Sequence, residues 1–369
     1  MDQNNQEPLF TVITDVFWRL DLFKPGLESL INQTYNNLEI VIINNGASED
    51  IKDFIFKTSQ KDERVKVLEF TENHFSWEDP GSALKDILNK ALKDKVTGQF
   101  VLYKSFDDLL SENYIQSMVN LFHENPDCIT ASGRPISMDD KGINQSELQD
   151  KKINIRPRYM PGIDLVLDFI NKGSMYRVPG GMLTLRTKDL IDAGGWDRNI
   201  DLSHFLRVLP FGITGTDTNA ILYWRRHSDQ LNKKLNERGH VGALETYSLL
   251  EDSDLKERWS QSNGKILKIL IKFITNNQLK TSAKWFILNL YHFKFKSMLI
   301  TLSEERFSLM FIRFLPKYIW QFRMIFIVNI IKIFRPLFRL PFILIDKYFP
   351  SLKEGNSLFK RILEFIKKS

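Results

Sequence analysis

Two adjacent carboxylates, Asp107 and Asp108, sit in the run Tyr103-Lys-Ser-Phe-Asp-Asp-Leu-Leu110, directly after an apolar segment. Paired carboxylates at a strand end suit a hard divalent cation, which takes oxygen ligands and keeps room for a diphosphate. The plainer reading is a solvated turn in which Asp108 or Ser111 caps the next helix. Polar clusters also follow apolar runs at Asp15 to Trp18 and at Asn44 to Asp50. The interest of all three depends on whether the chain brings them to one edge.

The elements around them predict that it does. Phe10 to Val16 reads as a strand, and Leu27, Leu30 and Ile31 give Leu20 to Asn32 a helical spacing. The β-branched run Leu38 to Ile43 ends at the turn Asn44-Asn45-Gly46. Ser48, followed by Glu49 and Asp50, reads as a helix N-cap with acids in the first turn. Strands follow at Arg64 to Phe70, Gln99 to Tyr103 and Cys128 to Gly133, with helices at Ser82 to Lys95 and Glu112 to Glu124. Strands alternating with helices predict βαβ units and a mainly parallel sheet. In such sheets ligands bind outside the carboxyl ends of the strands, where the three polar clusters fall. Asp139 to Pro161 is polar and aperiodic and reads as a surface loop or excursion. A second α/β portion spans Gly180 to Arg226, with a strand at Ala220 to Trp224.

Several of these segments, in this order, resemble the inverting family 2 glycosyltransferases. Leu27-Glu-Ser-Leu-Ile-Asn-Gln-Thr-Tyr-Asn-Asn-Leu-Glu-Ile40 is the most specific of them. Phe10 to Phe17 resembles the family's opening strand, and Ile43 to Asp50 is similar to its Asp-Asp-Gly-Ser turn. Ser105-Phe-Asp-Asp108 falls at the Asp-x-Asp-Asp motif, Leu190 to Asp197 at the Gly-Gly-Phe-Asp segment, and Tyr223-Trp-Arg-Arg-His227 at a late Tyr-Arg-x-His. Multiple matched segments carry more weight than any single motif. The resemblance covers roughly residues 9–232. It implies a GT-A fold, a Rossmann-like nucleotide-diphospho-sugar transferase domain.

The resemblance also implies roles. Asp15 and Phe17 fall where the family contacts the donor base, Phe17 by stacking; a core aromatic on the first strand is the competing reading. Asn45 stands where a family aspartate hydrogen-bonds the base, and an amide can still donate and accept. Asp107 matches the aspartate that binds Mg²⁺ or Mn²⁺, which would neutralise the departing nucleoside diphosphate. His227 matches a residue that reaches the metal or diphosphate in some members, though a lone loop histidine more often does neither. Asp201, in Asn199-Ile-Asp-Leu-Ser-His204, falls at the catalytic base, which would take the acceptor hydroxyl proton. It could equally cap a helix from Leu202 to Leu209, and His204 is a second candidate base. Departures from the pattern are Ser105 for the first aspartate of the motif, Asn45 for a base-binding aspartate, and Ile200 for the acid beside Asp201. Leu88 stands near a position where many members have a diphosphate-binding arginine. These changes keep open a degenerate, scaffold-like relative.

Charge divides the chain of 369 residues, whose net charge is +6. Residues 261–369 hold 20 Lys+Arg and 5 Asp+Glu, a net of +15; the remainder holds 31 and 40, a net of −9. A basic tail on an acidic body implies an anionic partner. The tail's aromatic and basic residues recur at helical spacing (Arg313, Phe314, Lys317, Tyr318, Phe322), and Pro316, Pro336 and Pro341 divide it. The longest uncharged stretch within 301–369, Met324 to Ile331, is shorter than the ~20 residues a spanning helix needs. Basic amphipathic helices lying in an anionic membrane surface are expected, the alternative being an ordinary helical subdomain. The expected plan is thus a GT-A domain over 1–235, a helical connector over 236–300 and membrane-associating helices over 301–369. One cysteine, Cys128, excludes an intrachain disulfide. Residues Met1 to Pro8 carry no apolar signal region. The expected placement is therefore cytoplasmic, on the inner membrane face. The partners expected are a nucleotide sugar such as a UDP-sugar and a lipid-linked or saccharide acceptor, with no nucleic acid, since no nucleic-acid module is recognisable.

Overall fold

The computed structural model describes residues 7–76, 80–139, 142–146, 157–166, 183–197, 206–227 and 253–260, with 268, 287, 316–317 and 319–322. The chain forms two units, 1–274 and 275–369. Nearly all described residues belong to the first. Asp201, His204, Ile200, most of the 236–300 connector and most of the 301–369 tail lie outside the described residues. Among the described residues no helix is long and apolar enough to cross a membrane.

The amino-terminal half follows the alternation expected. Strand β1 (Phe10–Val16) leads to helix α1 (Leu20–Ile31), β2 (Leu38–Asn45), α2 (Glu49–Ser59), β3 (Val65–Phe70), α3 (Pro80–Asp94) and β4 (Phe100–Tyr103). Strand β1 pairs in parallel with β2 and β4, and β2 with β3. The register sets Val16 beside Asn44, and Asn45 beside Phe70. The carboxyl ends of β1 to β3 therefore share one edge. Side-chain alternation divides the core. Phe10, Val12, Leu38, Ile40 and Ile42 pack on the face with α1, α2 and α4, while Ile13, Val41, Ile43 and Val101 face α3.

Beyond β4 the sheet becomes mixed rather than mainly parallel. Strand β5 (Leu109–Leu110) and helix α4 (Tyr114–Glu124) lead to β6 (Cys128–Asp139), β7 (Gly142–Ile143), β8 (Tyr159–Pro161), β9 (Thr184–Arg186) and β10 (Ile213–Arg225). The order is β3-β2-β1-β4-β9-β6-β10-β5, with β7 on β6 and β8 on β10. Strand β10 runs parallel to β6 but antiparallel to β5 and β8. Two sequence expectations are corrected here. The stretch 139–161 is not all loop, because Tyr159–Pro161 pairs with Ile213 to Gly215. The strands expected at 128–133 and 220–224 extend to Asp139 and back to Ile213, since each completes the other's hydrogen bonds over most of its length.

Local chemistry explains the connections that carry the polar clusters. Arg19, at φ 60, is the one non-glycine residue with positive φ among those described, and it turns the chain from β1 into α1. Its guanidinium pairs with Asp21 at 2.9 Å. Gly46, at φ 64, ends β2, and a Cβ there would lie 2.4 Å from the Asn73 backbone nitrogen. Ser48 occupies the N-cap position of α2, but its hydroxyl bonds the Asp50 carboxylate instead of a backbone N–H.

Candidate active site

The carboxyl edge of β1, β2 and β4 gathers the residues that the sequence singles out. Asp15, on the α3 face at the end of β1, is buried and accepts a hydrogen bond from the Tyr103 hydroxyl at 2.8 Å. Burial pushes its carboxyl above the ordinary range, and the Tyr103 bond opposes this only partly. Burial and the neighbouring Asp15 carboxylate push the Tyr103 phenol upward as well.

The turn 105–108 joins β4 to β5 and carries the paired carboxylates. Asp107 is buried; its Oδ1 accepts from the Ser105 hydroxyl at 2.7 Å, and its Oδ2 lies 3.2 Å from His227 Nε2. Burial alone would raise this carboxyl, but the His227 and Ser105 bonds outweigh it and hold the group below the usual carboxylate range. Asp107 is thus ionised at neutral pH. Asp108 behaves oppositely. It is fully enclosed, its Oδ1 accepts from the Arg225 backbone N–H at 2.8 Å, and burial with the adjacent Asp107 charge pushes it well upward. Neither Asp108 nor Ser111 is the residue before α4; that position belongs to Asn113. Of the two carboxylates, Asp107 is the one suited to a cation.

The base-contact candidates lie on the neighbouring connections. Asn44 Oδ1 accepts from Ala47 N–H at 3.0 Å, which shapes the turn, and Asn45 Oδ1 accepts from His74 N–H at 2.9 Å. Phe17 is not a core residue: half-buried, it stacks on Phe75 at 5.1 Å and on Trp18 at 5.8 Å between ring centroids. The segment 74–75 therefore touches both Asn45 and Phe17, which the sequence could only treat separately.

Three residues of this edge carried no role in the sequence. Tyr103 is the partner of Asp15. Lys104 is wholly buried, and its Nζ donates to the Ser105 carbonyl at 2.9 Å and the Asp108 carbonyl at 2.6 Å. Burial pulls its ammonium down to about 8, although Asp108 and Asp107 work the other way. Arg225 donates from Nε to the Asp107 carbonyl at 2.8 Å. A lysine closing the otherwise apolar Phe100-Val-Leu-Tyr103 run was the available signal.

Asp107 and His227 supply a hard carboxylate oxygen and an imidazole nitrogen, a donor set that Mg²⁺ or, better, Mn²⁺ accepts when diphosphate and water complete the sphere. Among the described residues no group of three His, Cys, Asp or Glu side chains converges. A donor set of two fits a cation shared with a ligand rather than a closed protein cage.

The described strands form one ten-stranded mixed sheet that carries a buried, ionised aspartate at its carboxyl edge. Residues 11–189 match the family described as Glycosyl transferase family 2. An uncharacterized glycosyltransferase of Rickettsia bellii is 32% identical over 115 residues, covering 31% of this chain and 15% of that protein. A putative glycosyltransferase of Bacillus subtilis, EpsH, is 26% identical over 124 residues, covering 34% of this chain and 33% of that one. The chain thus spans well under half the length of these relatives. In fold it is similar to S. aureus TarS 1-349, solved in complex with UDP-GlcNAc, with TM-score 0.50 and 13% identity over 72% of each chain.

Proposed function

We propose that the chain transfers a sugar from a nucleoside-diphosphate sugar, a UDP-sugar first, to a hydroxyl of a lipid-linked or saccharide acceptor. The observation that carries this reading is Asp107, buried yet held ionised by His227 and Ser105 at the carboxyl edge of the sheet. A divalent cation held there by Asp107 and His227 would stabilise the charge that develops on the departing diphosphate. Asp15 and Asn45 offer polar groups to the base, and the Phe17 ring a stacking face. Asp201, on the strength of the family resemblance, would take the acceptor hydroxyl proton. A single displacement at the anomeric carbon with one such base inverts the configuration.

The basic residues of 301–369 would hold the site beside an anionic bilayer on the inner membrane face, within reach of a lipid-linked acceptor. The test is calorimetric binding and slow hydrolysis of a nucleotide-sugar panel by the purified chain, with and without Mn²⁺. The expected result is Mn²⁺-dependent binding of one donor, weakened roughly 100-fold or more in Asp107→Ala. Mn²⁺-independent behaviour of a well-folded sample toward every donor would instead favour a non-catalytic scaffold.

A further inference from the structure

The four-residue turn that carries Asp107 is held from every side, and one of its holders is an ammonium group that no ligand can touch. Lys104 is 0% exposed. Burying an ammonium is costly, and the cost is met only where polar partners replace its water. Here the Nζ donates to the carbonyls of Ser105 and Asp108, the first and last residues of the turn. One side chain therefore ties both ends of the turn together.

The middle of the turn is fixed independently. The Asp107 carbonyl takes the Arg225 Nε, and the Phe106 carbonyl lies so near Gly26 that a Cβ there would sit 2.0 Å from it. All four turn carbonyls are thus placed by the protein itself. Lys104 is wholly enclosed, with its Nζ bonded to the turn's own carbonyls, so its effect on a ligand passes through the position of Asp107.

We infer that Lys104 is a positioning residue: by bonding both ends of the turn it presents the Asp107 carboxylate in place before a cation and nucleotide arrive. This rests on the proposed function. Preorganisation of this kind improves affinity by removing an ordering step from binding. Without the ammonium, the Asp108 carbonyl loses this donor and the Ser105 carbonyl keeps the Asp108 N–H at 3.3 Å, so the tie between the two ends is lost, the turn relaxes, and the cation and nucleotide must order it.

The test uses the full chain, its Lys104→Met variant and its Lys104→Gln variant. Methionine keeps the length and apolar stem without a donor. Glutamine keeps an N–H that reaches one carbonyl, and serves where the methionine variant does not fold. UDP and GDP binding is titrated against Mn²⁺ by calorimetry, well below the melting temperature of each protein. The expected result is a Mn²⁺ requirement for half-maximal binding raised roughly 10-fold in Lys104→Met and less in Lys104→Gln, the size expected when one buried carbonyl loses a charged donor. Nucleotide binding without Mn²⁺ is expected to stay at the parent value. A lowered melting temperature with an unchanged Mn²⁺ requirement in the folded variants would reduce Lys104 to a structural residue and overturn the inference alone. No Mn²⁺-dependent nucleotide binding by the parent would overturn the proposed function, and this inference with it.

Discussion

At the scale of single residues the protein uses burial in two ways. At the functional edge it separates two adjacent carboxylates, with Asp107 ionised by its partners and Asp108 pushed upward beside it. At the opposite end of the sheet it encloses Glu39, which accepts from Thr11 Oγ1 at 2.7 Å, Thr97 N–H at 3.0 Å and Thr97 Oγ1 at 2.7 Å, and pairs with Lys66. Burial pushes the Glu39 carboxyl upward, but the Lys66 and threonine bonds together hold it below its ordinary 4.5. A carboxylate depressed in the folded state contributes stability above its unfolded pKa, and that contribution is lost as pH falls through the folded value. Chemical denaturation of the parent is therefore expected to show stability falling once pH drops below about 4.5. Glu39→Gln is expected to be less stable at pH 7 by roughly 2–3 kcal/mol, because Lys66 and the Thr97 N–H lose a charged acceptor, and to show a flatter acid limb. An unchanged acid limb in the variant would show that Glu39 does not set it.

Among elements, the site depends on close packing between α1 and the acidic turn. The sequence run Lys24-Pro-Gly26 lies inside α1, where neither proline nor glycine favours a helix. The structure supplies the reason for the glycine. A side chain at 26 would occupy the place of the Phe106 carbonyl. Gly26→Ala is expected to cost about 1–3 kcal/mol through overpacking, read as a fall in melting temperature. It is also expected to weaken Mn²⁺-dependent nucleotide binding, because relief of the clash moves the turn. Full binding with a lowered melting temperature would show that α1 shifts and the turn does not. A second brace joins α3 to the segment leading toward Asp201. Asn89 Oδ1 accepts from Trp196 N–H at 2.8 Å, and its Nδ2 donates to the Trp196 carbonyl at 2.9 Å. Gly195, at φ 78, allows that approach, since a Cβ would lie 2.3 Å from Asn89 Oδ1.

At the scale of the whole molecule the charge asymmetry carries the prediction. With +15 over 261–369 and −9 over the rest, the attraction to an anionic surface is concentrated in one part of the chain. Each basic residue near such a surface contributes about 1 kcal/mol, within a range of roughly 10 Å at ordinary salt. The chain is expected to float with vesicles containing phosphatidylserine, to remain below with phosphatidylcholine vesicles, and to be released by 0.5 M salt to about the extent that screening predicts. Equal flotation with both lipids would replace the electrostatic account with an apolar one. Gel-shift with DNA or RNA but no flotation would assign the tail to nucleic acid.

The sequence by itself determined the strands of the first half, their carboxyl-edge polar clusters and the acidic turn, because each is written in a short run with its own period and its own terminating turn. It also determined the family-like order of segments that points to Asp15, Phe17, Asn45, Asp107 and His227. Only the tertiary structure decided how the last of these meet. Strand β10 pairs antiparallel with β5, Leu222 beside Leu110 and Tyr223 beside Leu109, and this carries Arg225 and His227 to a turn more than a hundred residues earlier. No local pattern encodes that pairing, since it joins segments more than a hundred residues apart. The same holds for Lys104, whose sequence setting gives a basic residue at a strand end. Only closure of the turn over it makes the ammonium a buried tie, because burial is a property of everything packed around a side chain.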